Sequence, residues 1–196
     1  MVLSTLLLLP ALAHAIPHPQ SHEPGPGGCA EGWVDAFVLG MGCLYLLQEP
    51  LPWEDAGNTC KSLGGQLVEI DNEEQLAFLQ QGLNFADGAH WTTAHYWWTA
   101  ANDKTLEGDW VWANSNTAVD SFLWSESQPD NCEPNHNQDI PGPCSAVENC
   151  GALYSSCTNG CMDVWMELYD LPCGNSYVAG YHSSPTFSIF TVCQIK

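Results

Sequence analysis

Arginine is absent from this chain, and lysine occurs only three times. Against 23 Asp and Glu, this leaves a formal net charge of −20 at pH 7. Nothing here can neutralise a run of phosphates, which argues against nucleic acid as a partner. Anionic membranes and sulfated polysaccharides are disfavoured for the same reason. Long apolar runs are also scarce. The one clear case opens the chain in MVLSTLLLLPALAHAIP, and at about ten residues it is too short to cross a bilayer. No later stretch is apolar enough to insert in a membrane. The ten cysteines contain no CxxC pair, which weighs against a zinc cluster. There is no internal repeat. No Ser-His-Asp or Cys-His arrangement marks a nucleophile, and no two acids stand out as a glycosidase pair, so an enzyme is not expected.

The opening apolar run ends at Ala13-His14-Ala15, a small-x-small pattern. It reads as a signal peptide cut after Ala15, although no Lys or Arg precedes it. The expected location is therefore extracellular. Residues 16–28, IPHPQSHEPGPGG, form an arm too rich in Pro and Gly to build a core. His18 and His22 on this arm could bind a metal adventitiously. The folded domain is expected over 29–196. An even number of cysteines behind a secretory signal fits five disulfides in an oxidising compartment. With so much negative charge, a cation is the natural counter-charge. Acidity that merely keeps the protein soluble explains the sign of the charge but not where the acids cluster.

They cluster in WSESQPDNCEPN, residues 124–135. Gln128-Pro129-Asp130 and Glu133-Pro134-Asn135 each place two oxygen-bearing side chains across one proline. That arrangement aims two ligands at a single hard cation. His136 follows in the same stretch, where a pH-sensing role is conceivable.

The surrounding pattern predicts an α+β layout. GWVDAFVLGMGCLYLLQ reads as one or two strands. PWEDAGNTCKSLGG reads as a short helix: Pro52 sits at its first turn, Glu54 and Asp55 favour its positive end, and Gly64-Gly65 stops it. Ala56, Cys60 and Leu63 share one face. QLVEID is a strand. NEEQLAFLQQGL is a second helix, capped by Asp71 or Asn72, with Leu76, Leu79 and Leu83 as its core stripe. YWWTAAND and EGDWVW are short aromatic strands. From Trp112 to Cys161 the sequence is turn-forming and Cys-studded, a loop of a length that is usually functional. Strands return in MDVWMELYDLPC and FSIFTVCQIK.

The succession CLY, WEDAGNTCKSLGGQLVEID, YWWTAAND, EGDWVW, QPDN, ENCGAL, LYDLPC and TVCQIK resembles the C-type lectin-like domain over about Cys29 to Cys193. The resemblance implies two helices flanking two small antiparallel sheets, with a long calcium-binding loop. It implies Cys60–Cys193, Cys150–Cys173 and, as in the long form of the family, Cys29–Cys43. Cys132, Cys144, Cys157 and Cys161 then remain, with three possible pairings. The local pairs Cys132–Cys144 and Cys157–Cys161 are favoured, because short loops lose least entropy on closure. It also implies that Trp53, Trp98, Trp110, Trp112 and Trp124 are scaffold. Trp91, Trp97 and Trp165 stay open.

In sugar-binding members one Ca²⁺ also accepts two vicinal sugar hydroxyls, and Ca²⁺ seeks roughly six to eight oxygens. The family places a Trp four residues before its first ligand, as Trp124 precedes Gln128. This assigns Gln128 and Asp130 as ligands and leaves Glu133-Pro134-Asn135 as an acidic turn or a rival triplet. ENCGAL contributes Glu148, and LYDLPC contributes Asp170. Here the chain departs from the family, which has Trp-Asn-Asp where this sequence has Leu168-Tyr169-Asp170. A phenol is a poor calcium ligand at neutral pH, though Tyr169 could stack on a sugar face. A second calcium position in the family maps to Asp103 and Glu107, with Glu148 shared and Asn131 and Asn149 where acids are commoner. In the family, Gln-Pro-Asp goes with galactose-type hydroxyls rather than mannose-type. The resemblance thus implies a calcium-dependent, galactose-type lectin acting on cell-surface glycans in immune-like recognition or agglutination, and oligomeric because single weak sites give little avidity. The rival is a scaffold of the same fold that binds protein or a calcium mineral instead of sugar.

Overall fold

The computed structural model describes residues 28–85, 95–131, 147–158, 163–174, 177–178 and 187–196. The N-terminal hydrophobic run and most of the Pro/Gly arm lie outside them. So do the Glu133-Pro134-Asn135 triplet, His136, Trp91, and Cys132, Cys144 and Cys161, together with the side chains of Cys157 and Trp165.

The chain starts with a hairpin of β1 (Val34–Ala36) and β2 (Gly42–Leu47), separated by a single 3-10 turn at Phe37–Leu39. Helix α1 runs Trp53–Ser62 with Pro52 at its N-cap, and it buries Ala56 and Cys60 as the pattern predicts. Strand β3 is only Gln66–Leu67. Helix α2 runs Glu73–Phe85. Its cap is Asn72, whose Oδ1 accepts the Gln75 N–H at 3.0 Å. Strands β4 (His95–Asn102), β5 (Val111–Trp112), β6 (Cys150–Thr158), β7 (Asp163–Leu171), β8 (Tyr177–Val178) and β9 (Phe187–Ile195) follow.

The expectation of two small antiparallel sheets needs refinement. Two antiparallel groups exist, β1-β2-β9 and β4-β6-β7, but a parallel pairing of β4 with β9 joins them into one path. The expected loop from Trp112 to Cys161 also needs correction, because its last part is the nine-residue strand β6. Gly151, Ser155 and Ser156 weaken the strand signal there. What makes β6 a strand is its position between β4 and β7, where it hydrogen-bonds on both sides.

The core fills the space between helices and sheet. Trp97, Trp98, Trp112, Leu44, Ile70, Leu79, Leu153 and Leu168 are fully buried. Trp97, left open by the sequence, is therefore scaffold, and its Nε1 donates to Ser155 Oγ at 3.4 Å. The Nε1 atoms of Trp53 and Trp98 reach the carbonyls of Thr99 and Leu51, both at 2.8 Å. Trp124 packs edge-on against Trp110 with centroids 4.7 Å apart. Disulfides Cys29–Cys43, Cys60–Cys193 and Cys150–Cys173 are formed.

One interior carboxylate was not foreseen. Glu69 is buried, and its Oε1 accepts N–H groups from Asn114 (3.1 Å) and Ser115 (2.9 Å). Its Oε2 lies 3.5 Å from Lys196 Nζ. It ties the segment after β3 to the turn after β5.

Candidate metal and ligand site

The register of the sheet gathers the candidate ligands at one end. Asn102 of β4 pairs with Cys150 of β6, and Cys150 pairs with Leu171 of β7. Asp103 follows the end of β4, Glu148 and Asn149 precede the start of β6, and Asp170 sits one residue inside the end of β7. A backbone bond from Asp103 N to Asn149 O, 3.3 Å, stitches the first two together.

The segment 124–131 wraps the outer edge of β7. Trp124 makes a parallel bridge to Leu168, and Ser125 N donates to Leu168 O at 3.1 Å. The segment then turns, with Gln128 N donating to Ser125 O at 3.0 Å. The Gln128-Pro129 peptide is cis, and Ser127 and Asn131 have positive φ. Non-glycine residues hold such φ values only where their surroundings fix them. For Asn131 the surroundings are Asp170 and Glu148. Asp170 Oδ1 accepts from Asp130 N (3.2 Å), and its Oδ2 accepts from Asn131 N (2.7 Å). Asp170 N donates to Gln128 Oε1 at 3.4 Å. Glu148 N donates to Asn131 Oδ1 at 3.1 Å.

These bonds bring Asp130, Glu148 and Asp170 together. All three are buried, and one carboxylate oxygen from each lies within 4.8 Å of the other two. The three lysines stand elsewhere. Lys104 is paired with Glu54, Lys196 lies by Glu69, and Lys61 is in the last turn of α1. Burial disfavours the charged form of a carboxylate and raises its pKa. Accordingly, the Asp170 pKa is pushed up to about 6, chiefly by burial. The Asn131 and Asp130 amides pull it down, and the Asp130 charge adds to the rise. A divalent cation held by oxygens meets the same need for positive charge.

Beside this cluster, Asp103 is buried and its Oδ2 accepts the Gly108 N–H at 2.8 Å. Among the described residues, its Oδ1 is buried without a hydrogen-bond partner, and so is Asn149 Oδ1. Two such acceptor oxygens fit a cation. Glu107 is exposed, and its pKa is raised by partial desolvation and then by the Asp103 carboxylate beside it.

Tyr169 does not join the cluster. It is buried, with its ring edge-on to Tyr96 (6.1 Å) and Tyr154 (5.5 Å). Its hydroxyl lies 3.0 Å from Ser125 Oγ. A buried ring so engaged offers no open face for stacking. Alternation along β7 explains this, because neighbouring residues face opposite sides. Ser125 escaped the sequence reading altogether, although its place four residues after Ser121 and one after Trp124 gave no signal to find it.

Comparison with known proteins agrees with this layout. The chain matches the family model for the lectin C-type domain over residues 49–177, and it belongs to that family. It is 30% identical over 124 residues to a perlucin-like protein of Mytilus galloprovincialis, covering 62% of this chain and 72% of that one. It is 28% identical over 101 residues to the CD209 antigen of Homo sapiens, covering 50% of this chain but only 23% of that one. The fold is shared with the C-type lectin CEL-I from Cucumaria echinata at 20% identity and TM-score 0.58, over 86% of this chain and 97% of that one. Human lithostathine gives 20% identity and TM-score 0.59, over 90% and 97%. Identities at that level speak for the fold alone.

Proposed function

We propose that this protein is a secreted, non-enzymatic lectin that binds galactose-type glycans through calcium. The observation that carries the reading is the convergence of the buried Asp130, Glu148 and Asp170 carboxylates at one end of the sheet. The donor set is all oxygen, which suits Ca²⁺ and not a softer metal. Gln128, Asp130, Glu148 and Asp170 would hold the ion, which would supply a Lewis-acidic centre for vicinal sugar hydroxyls. Asp103, Glu107, Asn131 and Asn149 would line a second, weaker position. The order amide then carboxylate in Gln128-Pro129-Asp130 supports the galactose preference. Family membership supports carbohydrate as the ligand class.

The test is calorimetric titration of Ca²⁺ into chelated protein, alone and with galactose or mannose. Tightening by galactose is expected. The double variant Gln128→Glu/Asp130→Asn reverses the triplet and is expected to transfer the tightening to mannose. Calcium binding indifferent to both sugars would refute the lectin reading. Size-exclusion chromatography with light scattering would test the expected oligomer.

A second reading rests on Tyr169. With no Asn at that position, the site lacks one oxygen ligand of the family pattern, as expected of an interaction or mineral-binding scaffold. Asp170→Ala separates the two. It abolishes sugar binding under the first reading and leaves a protein- or mineral-binding activity intact under the second.

A further inference from the structure

The 124–131 segment is pinned to β7 at two ends that differ in kind. At the far end its Asp130 and Asn131 amides rest on the Asp170 carboxylate, whose oxygens are the ones a cation would claim. At the near end Ser125 is buried, with its Oγ 2.7 Å from Glu167 Oε2 and 3.0 Å from Tyr169 Oη. A serine has one proton, and a carboxylate can only accept. Ser125 Oγ therefore donates to Glu167 and joins the carboxylate and the Tyr169 phenol in one hydrogen-bonded group. Glu167, Tyr169 and Tyr154 share one face of the sheet, as the β6–β7 register requires. None of the three clamp groups is among the clustered carboxylates.

We infer that Tyr169 is a positioning residue: with Ser125 and Glu167 it clamps the 124–131 segment onto β7 without needing a metal. Where the family pattern has a ligand, this chain has a strut. The segment is thereby held in shape before a cation arrives, so less ordering is left for the binding step. A chain of hydrogen bonds ending on a carboxylate is stronger than its links taken singly. The effect on calcium affinity rests on the reading of the site given above, but the clamp itself does not.

Hydrogen exchange on the full chain under chelation tests the clamp, using wild type, Tyr169→Phe, Ser125→Ala and the double variant. Each single substitution removes one polar link while keeping the ring or the backbone. Each is expected to speed exchange at the Asp130 and Asn131 amides about fivefold to tenfold. The double variant is expected to exchange no faster than the worse single, because the two groups act as one unit. The Ala100 amide, bonded to Val68 O inside the core, is expected to stay unchanged. Unchanged exchange at 130 and 131, multiplicative effects in the double variant, or equal acceleration at Ala100 would each overturn the inference. Calcium titration of the same proteins is expected to weaken by a similar factor. If Tyr169→Asn binds calcium more tightly while the 130 and 131 amides stay as slow as in wild type, Tyr169 is a lost ligand and no clamp. If no protein binds calcium, wild type included, while the exchange pattern holds, the clamp stands and the calcium reading falls.

Discussion

Lowering the pH from 7.5 to 5 should weaken calcium binding about tenfold, and Asp170 sets that size. Its pKa is about 6 in the metal-free fold, raised chiefly by burial. A cation needs the carboxylate, so proton and calcium compete for the same oxygens. At pH 7.5 nearly every molecule has Asp170 ionised. At pH 5, one unit below the pKa, roughly one in eleven does, which lowers the apparent affinity by about one decade. The same shift has a stability consequence of opposite sense. The folded pKa lies above the ordinary aspartate value of 3.8. Asp170 therefore stabilises the metal-free fold fully below about pH 4, and that contribution fades as pH rises through 6. Its full size is about 3 kcal/mol. Chelated protein should thus lose this contribution towards neutrality, and calcium should restore stability there. Calorimetry at pH 5, 6 and 7.5, repeated in buffers of different ionisation enthalpy, measures both affinity and protons released. Release approaching one proton per ion at pH 5 is expected. A calcium affinity that stays flat from pH 7.5 to 5 would refute the role given to Asp170.

Three further outcomes are expected. Gly151→Ala places a Cβ 2.7 Å from Ala101 Cβ and 3.3 Å from Leu168 Cδ1; overpacking of this kind costs about 1–3 kcal/mol, and an unchanged thermal midpoint would contradict it. Glu69→Ala strips the Asn114 and Ser115 amides of their acceptor and should cost about 1–3 kcal/mol in urea unfolding, with Glu69→Gln recovering part of the loss. Asp103→Asn keeps an acceptor for Gly108 but removes the charge beside the orphaned Asn149 oxygen. It should delete the weaker calcium step from the titration and leave the stronger one in place.

Local signals in the sequence carried further than the pairings between distant segments. Gln128, Asp130, Glu148 and Asp170 stand in spaced motifs; the structure clusters the three carboxylates and sets Gln128 Oε1 on the Asp170 N–H. The helices were legible from their caps and apolar spacing, since Pro52 and Asn72 act locally. Strand β6 was missed because its glycine and serines lower the local signal, while both its partners are distant in sequence. The parallel β4–β9 pairing is invisible for the same reason, as no local pattern encodes which strand lies beside which. Tyr169 was legible as a departure but not in its consequence. Its facing depends on the register of β7 against β6, and its partner Ser125 lies 44 residues away. Glu69 looked like any strand acid, because the amides it accepts come from the turn after β5.

That register carries the whole arrangement. Tyr169 and Asp170 are neighbours with opposite tasks, one facing the tyrosine cluster and the other the acidic end. A slip of one residue between β6 and β7 would exchange them, putting a phenol among the carboxylates and a carboxylate among the rings. Two features oppose the slip. Gly151 stands opposite Asp170, and no larger residue fits there, since any Cβ would strike Ala101. One residue on, Cys150 pairs opposite Leu171 and is bridged to Cys173 just past the end of β7. A disulfide tolerates only a narrow range of Cα separations, so it anchors the strand ends at the point where the acids converge. Three buried carboxylates oppose the fold electrostatically unless protonated or paired with a cation. They can be held together because the sheet that presents them is fixed by packing, register and a covalent bond, none of which needs the ion.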